Sequence, residues 1–140
     1  MTIKQAKEYL REARRLYKVV EIKKTRLRYL RDTLDCFGGT PSAIKVKESP
    51  TIDRVGNSVA RLVDLEMSCK EDLMLMLDLQ EEIEGQINRM GRYGLQIILY
   101  ERYINNKKWQ TIAHEAGYSE GYTKELHKKA VKLFAETAKE

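Results

Sequence analysis

Apolar residues recur at steps of three and four along two long stretches of the chain. Such spacing lines one side of a helix with apolar side chains, as in a coiled-coil seam. The first stretch comprises Ile3, Ala6, Leu10, Ala13, Tyr17, Val20, Leu27 and Leu34. The second comprises Val55, Val59, Leu62, Cys69, Leu73, Met76, Ile83, Ile87 and Met90, widened by Leu65 and Leu79. Glycine, proline and serine residues predict a loop over 36–52, so residues 1–90 should form a long antiparallel helical hairpin.

A different pattern follows residue 90, where short apolar runs alternate with turn residues. Gly91 and Gly94 predict a bend. A support helix should follow, with Asn105 or Asn106 ending it and capping the next helix. The inward positions predicted for these two helices are Leu95, Ile98, Leu99 and Tyr103, then Trp109, Ile112, Ala113 and Ala116.

The chain should turn sharply at Gly117, because the corner needs a positive φ that glycine adopts without strain. Tyr118 should pack under this turn, and Ser119 should cap the following helix. Glu120 then favours the positive end of the helix dipole. The last helix should turn Thr123, Leu126, Ala130, Val131, Leu133 and Phe134 inward, and Gly121, Tyr122, Lys124, Glu125, Lys128 and Lys129 outward.

The predicted fold class is therefore all-α, with a helical hairpin followed by a carboxy-terminal helix-turn-helix. Residues 1–90 are interpreted as an oligomerisation or partner region and residues 91–140 as the helix-turn-helix domain. Two helices cannot cover all the leucine, methionine and valine flanks of both seams. We therefore expect self-association, as a homodimer.

Charge is unevenly distributed within a net charge of +5. Met1 to Arg31 holds eleven basic and three acidic residues, whereas Asp53 to Met90 holds four and nine. The basic first helix has two interpretations. The favoured one is a solvated face whose charge complements that of the acidic second helix, and the other is a second phosphate-binding surface. Both interpretations concern Arg11, Arg14, Arg15, Lys18, Lys23, Lys24, Arg26, Arg28 and Arg31.

A helix-turn-helix places its second helix in the major groove of duplex DNA, so double-stranded DNA is the predicted partner. The first two turns of that helix should read bases, and cations around it should bind phosphates. The predicted base contacts are Glu120, Gly121, Tyr122, Lys124 and Glu125. The predicted phosphate contacts are Lys107, Lys108, Ser119, Lys128, Lys129 and Lys132, with Lys107 and Lys108 in the first turn of their helix.

Catalysis, metal binding and a cofactor have no support in the sequence. His114 and His127 lack partners that would make a nucleophile or metal site, and are interpreted as ordinary polar helix residues. Cys36 and Cys69 lack the paired spacing of a zinc site. The amino terminus has no signal-peptide pattern, and no apolar run is long enough for a bilayer. We expect a cytoplasmic protein that does not contact a membrane.

The segment LYERYINNKKWQTIAHEAGYSEGYTKELHKKAVKLF resembles the fourth region of bacterial sigma factors. With the earlier DRVGNSVARLVDLE, the chain is more similar still to the phage and prophage transcriptional regulators of the RinA and ArpU type. The resemblance covers residues 99–134 closely and the amino-terminal helices in layout. It departs from the pattern at Glu120, Gly121 and Tyr122, where such readers place arginine or another long polar residue, and at Thr123, which replaces an aliphatic core residue.

The resemblance implies a sequence-specific regulator in a bacterial host, activating phage late genes and contacting host RNA polymerase. Two alternatives stay open. One is a small terminase-like protein that marks DNA for packaging and forms a ring. The other is a helical protein-interaction module with a degenerate helix-turn-helix, whose affinity for DNA would depend only weakly on salt.

Overall fold

The computed structural model describes residues 1–36 and 50–138. Helices α1 (Ile3–Cys36) and α2 (Pro50–Asn88) are long; α3 (Tyr93–Leu99) passes into a π-helical segment (Tyr100–Ile104), and α4 (Trp109–Ala116) and α5 (Glu120–Thr137) follow. The all-α prediction is confirmed for this part of the chain, which contains no strand. Most of the predicted 36–52 loop lies outside the described residues. Its predicted end was too late, because α2 begins at Pro50.

The chain divides into two compact units. Unit 1 comprises residues 1–17 and 75–140, and unit 2 comprises residues 18–74. In unit 2, the basic helix α1 packs along the acidic helix α2. Their antiparallel direction is evident from two ion pairs, because Lys23 meets Asp72 whereas Arg31, further along α1, meets Glu66, which lies earlier in α2. The hairpin prediction is therefore confirmed.

Unit 1 is built around an apolar core that α1, α2, α3 and α5 share. The Tyr9 side chain of α1 connects two of its partners, since its hydroxyl donates to Glu82 Oε2 at 2.8 Å and its ring stacks on Phe134 with centroids 6.3 Å apart. Residues from both sides of position 90 thus enclose one core. The buried members of this core are Ala6, Leu10, Ala13, Ile83, Ile87, Met90, Leu95, Leu99, Tyr103, Ala130, Val131, Phe134 and Ala135.

The support helix is confirmed, because its four predicted inward residues are all buried. The predicted bend occurs at Gly91, with φ of 74°, whereas Gly94 lies inside α3. The capping prediction was wrong: Asn106 is buried with φ of 55° and donates through Nδ2 to the Ile104 carbonyl at 3.2 Å. Asn105 ends the π-helical segment, as predicted, and its N–H donates to the Tyr100 carbonyl. Lys108 is the residue before α4, and its side chain makes no capping hydrogen bond.

The corner of the helix-turn-helix follows its predicted chemistry. Gly117 ends α4 in the left-handed conformation with φ of 74°, and Ser119 Oγ accepts from the Tyr122 N–H at 3.1 Å. Two predictions here were wrong. Ala116 is exposed because it ends the short α4, and Tyr118 is about half exposed, with its ring edge-on to Tyr122 instead of under the turn.

Gly117→Ala should lower the free energy of unfolding by about 1–2 kcal/mol, because a Cβ is strained in the left-handed region. Space is not the cause, since an added Cβ would meet no atom of the described chain within 4 Å apart from the adjacent residues. Gly121→Ala is the matched control: that position is helical and equally open, so it should raise stability by up to about 1 kcal/mol. Urea unfolding followed by circular dichroism measures both, and a shift of the same sign for both variants would refute the conformational explanation.

Candidate nucleic-acid interface

Helix α5 buries one side and exposes the other, as predicted. Thr123, Ala130, Val131 and Phe134 are buried, and Leu126 and Leu133 are partly buried against the core. The opposite side leaves every predicted outward residue exposed: Gly121, Tyr122, Lys124, Glu125, Lys128 and Lys129, together with Lys132. The structure therefore brings the predicted base-contacting residues together on the first turns of one exposed helix.

The buried Thr123 has a physical account. Its side chain is fully buried, yet Oγ1 donates to the Ser119 carbonyl at 2.9 Å. A buried hydroxyl is costly only when it lacks a partner. The departure from an aliphatic residue at this position is therefore accommodated, and the bond adds a second link between Thr123 and the capping residue.

The exposed face of α5 carries two ion pairs of its own. Lys124 lies 3.7 Å from Glu120, and Lys128 lies 3.3 Å from Glu125. All four side chains are more than half exposed, and exposed pairs of this kind contribute well under about 1 kcal/mol each. The lysines can therefore exchange a neighbouring carboxylate for a phosphate or a base edge at small cost.

Lys107 and Lys108 lie ahead of α4 rather than in its first turn, which begins at Trp109. Lys107 is engaged within the protein, because its Nζ pairs with Glu101 and with Glu115 at 2.8 Å. The hydrogen bond from Lys107 holds the pKa of Glu101 below its usual value. Lys107 thus ties α4 to the π-helical segment, while Lys108 is exposed.

A cleft of about 360 Å³ lies beside α5, and the sequence analysis did not anticipate it. It is lined by side chains from α1, the π-helical segment, α4 and α5, and no aspartate or glutamate of the described chain is among them. We call it the basic cleft. Its lining residues are Lys7, Arg11, Arg14, Arg102, Tyr103, Trp109, Lys124, His127 and Lys128.

Arg14 and Arg102 are neighbours in the basic cleft. Arg102 stacks over the Trp109 ring, 4.4 Å from its centroid, and its Nη1 donates to the Lys107 carbonyl at 2.9 Å. Arg14 makes a long contact of 3.4 Å from Nη1 to the Arg102 carbonyl, and its Nε is buried without a hydrogen-bond partner in the described chain. Burial, and then the charge of Arg14, lower the pKa of Arg102.

His127 lies among the aromatic residues of the basic cleft, so its interpretation as an ordinary polar residue was incomplete. Its Nε2 is 2.7 Å from the Tyr103 hydroxyl, and its ring meets Trp109 edge-on with centroids 4.6 Å apart. Burial lowers the pKa of His127 to about 4, with smaller contributions from Arg102, Lys7 and Arg11. Burial also raises the pKa of Tyr103. A neutral imidazole accepting from a protonated hydroxyl satisfies both groups.

Metal sites, disulfides and membrane-spanning helices are not found within residues 1–36 and 50–138. No group of three or more His, Cys, Asp or Glu side chains there is placed to hold a metal ion. Cys36 is exposed and Cys69 is buried, and both are free thiols. None of the described helices combines the length and the apolar character that crossing a membrane requires.

The lowered pKa of His127 predicts that the stability of the fold depends on pH. The unfolded chain binds a proton near pH 6.5, whereas the folded chain does so only near pH 4, so this stabilising contribution is complete above pH 6.5 and is lost as the pH falls. The loss should reach on the order of 3 kcal/mol. Arg102, Lys7 and Arg11 face the ring together with Tyr103, Trp109, Lys124 and Lys128.

Urea unfolding between pH 7 and pH 4 checks this prediction. His127→Gln should flatten the pH dependence relative to the unsubstituted protein, whereas His114→Gln should leave it unchanged because His114 is exposed. Identical pH profiles for all three proteins would contradict it.

The described part of unit 1 therefore carries an exposed helix face with a basic cleft beside it. A comparison of the chain with protein-family models, curated proteins and solved structures found no match.

Proposed function

We propose that this protein is a transcriptional regulator that binds double-stranded DNA in a sequence-specific manner through α5. The observation that carries the proposal is the exposed face of α5, which follows a left-handed glycine corner and a serine cap and is supported by the buried side of α3. A helix presented this way has its amino-terminal residues free to reach base edges in the major groove.

The exposed residues of α5 fall into two groups, those that can contact bases and those that can contact phosphates. Lys124 lies one turn into the helix, where its ammonium can donate to guanine, and Glu125 can accept from cytosine. Lys128, Lys129 and Lys132 lie further along the exposed side, where lysines bind phosphates and fix position rather than sequence. Lys108 and Ser119 are further phosphate candidates at helix starts.

Lys124→Ala should reduce the preference for specific over random duplex, because one base pair loses its contact. Lys128→Ala should weaken binding to both duplexes about equally and reduce the slope of log affinity against log salt by about one. Lys70→Ala, an exposed lysine of unit 2, is the control. Fluorescence anisotropy over a salt series measures all three, and equal losses on both duplexes for Lys124→Ala and Lys128→Ala would contradict this division.

Enrichment of fragments from a phage or prophage genome by the purified protein supplies the specific duplex. It also tests the roles implied by the resemblance. Fragments that cluster ahead of late genes support an activator that works with host RNA polymerase. Fragments at a packaging start site support the terminase-like alternative, and the absence of enrichment over input DNA would contradict both functions.

A protein-interaction module is a second candidate, and one observation favours it. An open groove of about 840 Å³ runs between α3, the helix-turn-helix corner and α5. Tyr93, Ile97, Tyr118 and Tyr122 line it and are all exposed, and exposed aromatic groups are enriched where proteins bind one another. This function predicts that salt has little effect on any residual DNA binding, whereas several phosphate contacts make affinity fall steeply with salt.

We further propose that the protein is a homodimer, with unit 2 supplying the contact. Val59, Val63, Met67 and Met74 follow one another at helical spacing on α2, and each is 45–59% exposed. Apolar side chains repeated along one helix face are stabilised by a second helix that covers them.

Met67→Lys should therefore shift sedimentation from a dimer to a single chain, because a charge at the centre of the stripe opposes its burial. Arg61→Glu, an exposed substitution on the other side of α2, is the control and should leave the dimer intact. A concentration series in analytical ultracentrifugation measures both. Sedimentation of the unsubstituted protein as one chain at every concentration would refute the dimer, and a larger ring would favour the terminase-like alternative.

A further inference from the structure

Four cations of the basic cleft are held together without a counter-charge. Lys7, Arg11, Arg14 and Arg102 line it and form no ion pair within the described residues, in contrast to Lys23 and Arg31 in unit 2. Arg14 and Arg102 are partly buried, and their mutual repulsion and desolvation oppose folding. A bound anion would offset both costs.

The geometry favours a planar or tetrahedral oxyanion over a simple halide. Arg102 is positioned by its stacking on Trp109 and by its bond to the Lys107 carbonyl, and Arg14 of α1 lines the cleft with it. Guanidinium groups bind phosphate oxygens through pairs of parallel N–H donors. Positioned in advance, they lose little conformational freedom when the ligand binds.

We propose that the basic cleft binds a phosphate group, and that this phosphate belongs to the backbone of the DNA read by α5. The cleft takes two of its lining residues, Lys124 and Lys128, from the exposed face of α5. A phosphate bound there would lie immediately beside the reading helix, where the backbone borders the major groove. The first helix thus becomes a second DNA-contacting element through Lys7, Arg11 and Arg14. This inference rests on the proposed function for its choice of DNA.

The first arm of the test uses inorganic phosphate and needs no DNA. The ring resonances of His127 report on the cleft, and an anion there should raise the pKa of His127 because it offsets the charges of Arg102, Lys7 and Arg11. We expect saturable shifts with phosphate and none with chloride at equal ionic strength. Arg14→Gln should abolish the saturation. Arg15→Gln, the neighbouring exposed arginine that pairs with Glu12, should retain it. A linear, unsaturable response of the unsubstituted protein overturns the site.

The second arm measures duplex DNA by anisotropy over a salt series. Arg14→Gln should weaken specific and random duplex alike by roughly tenfold, as loss of a charged hydrogen-bond donor does. It should also reduce the salt slope by about one. Arg15→Gln should match the unsubstituted protein. Arg11→Gln, at an exposed cleft position, repeats the test should Arg14→Gln unfold.

Together, the two arms distinguish failure of the phosphate site from failure of the proposed DNA-binding function. Saturable phosphate binding with Arg14→Gln and Arg15→Gln equal on DNA overturns the DNA backbone as the source and identifies a free phosphate compound as the ligand. Saturable phosphate binding by a protein that binds no duplex refutes the proposed function and leaves the cleft as a phosphate site. Losses on DNA confined to Arg14→Gln and Arg11→Gln, with phosphate saturation, support the inference in full.

Discussion

The packing of the amino-terminal part of α1 against α5 is the contact on which the site depends. Ala6, Leu10 and Ala13 are fully buried in the core that also holds Val131 and Phe134. Burial of side chains of this size contributes roughly 1–3 kcal/mol each. The Tyr9 ring of α1 also stacks on Phe134 of α5, with centroids 6.3 Å apart.

The basic cleft follows from that packing by helix geometry. Lys7, Arg11 and Arg14 each come one residue after Ala6, Leu10 and Ala13, so they form a parallel stripe about 100° around the same helix. Once the alanine and leucine side chains are buried, the cationic stripe must flank the contact. The core contact thus sets where the charge lies, and Lys124 and Lys128 of α5 complete the cleft.

The basic charges of α1 consequently have two different surroundings. In unit 2, Lys23 and Arg31 meet carboxylates of α2, as expected for helices of opposite charge. In unit 1, Arg11 and Arg14 meet Arg102 and His127 around the basic cleft. The two interpretations of the basic helix each describe one part of it: the first fits the ion pairs of unit 2, and the second is the basis of the phosphate proposal for unit 1.

Local patterns in the sequence were sufficient to predict the helices, the antiparallel hairpin, the Gly117 corner, the Ser119 cap and the exposed side of α5. Each of these features depends on spacing or on a few neighbouring residues. The local patterns were insufficient for the π-helical segment, which displaced Asn106 from its predicted cap, and for the exposure of Ala116 and Tyr118. The basic cleft and the neutral His127 depend on residues about 90 to 120 positions apart in the chain. Periodicity determines which side of each helix is apolar, but the partner of that side, and hence the charges brought next to it, is decided only when the helices pack into one core.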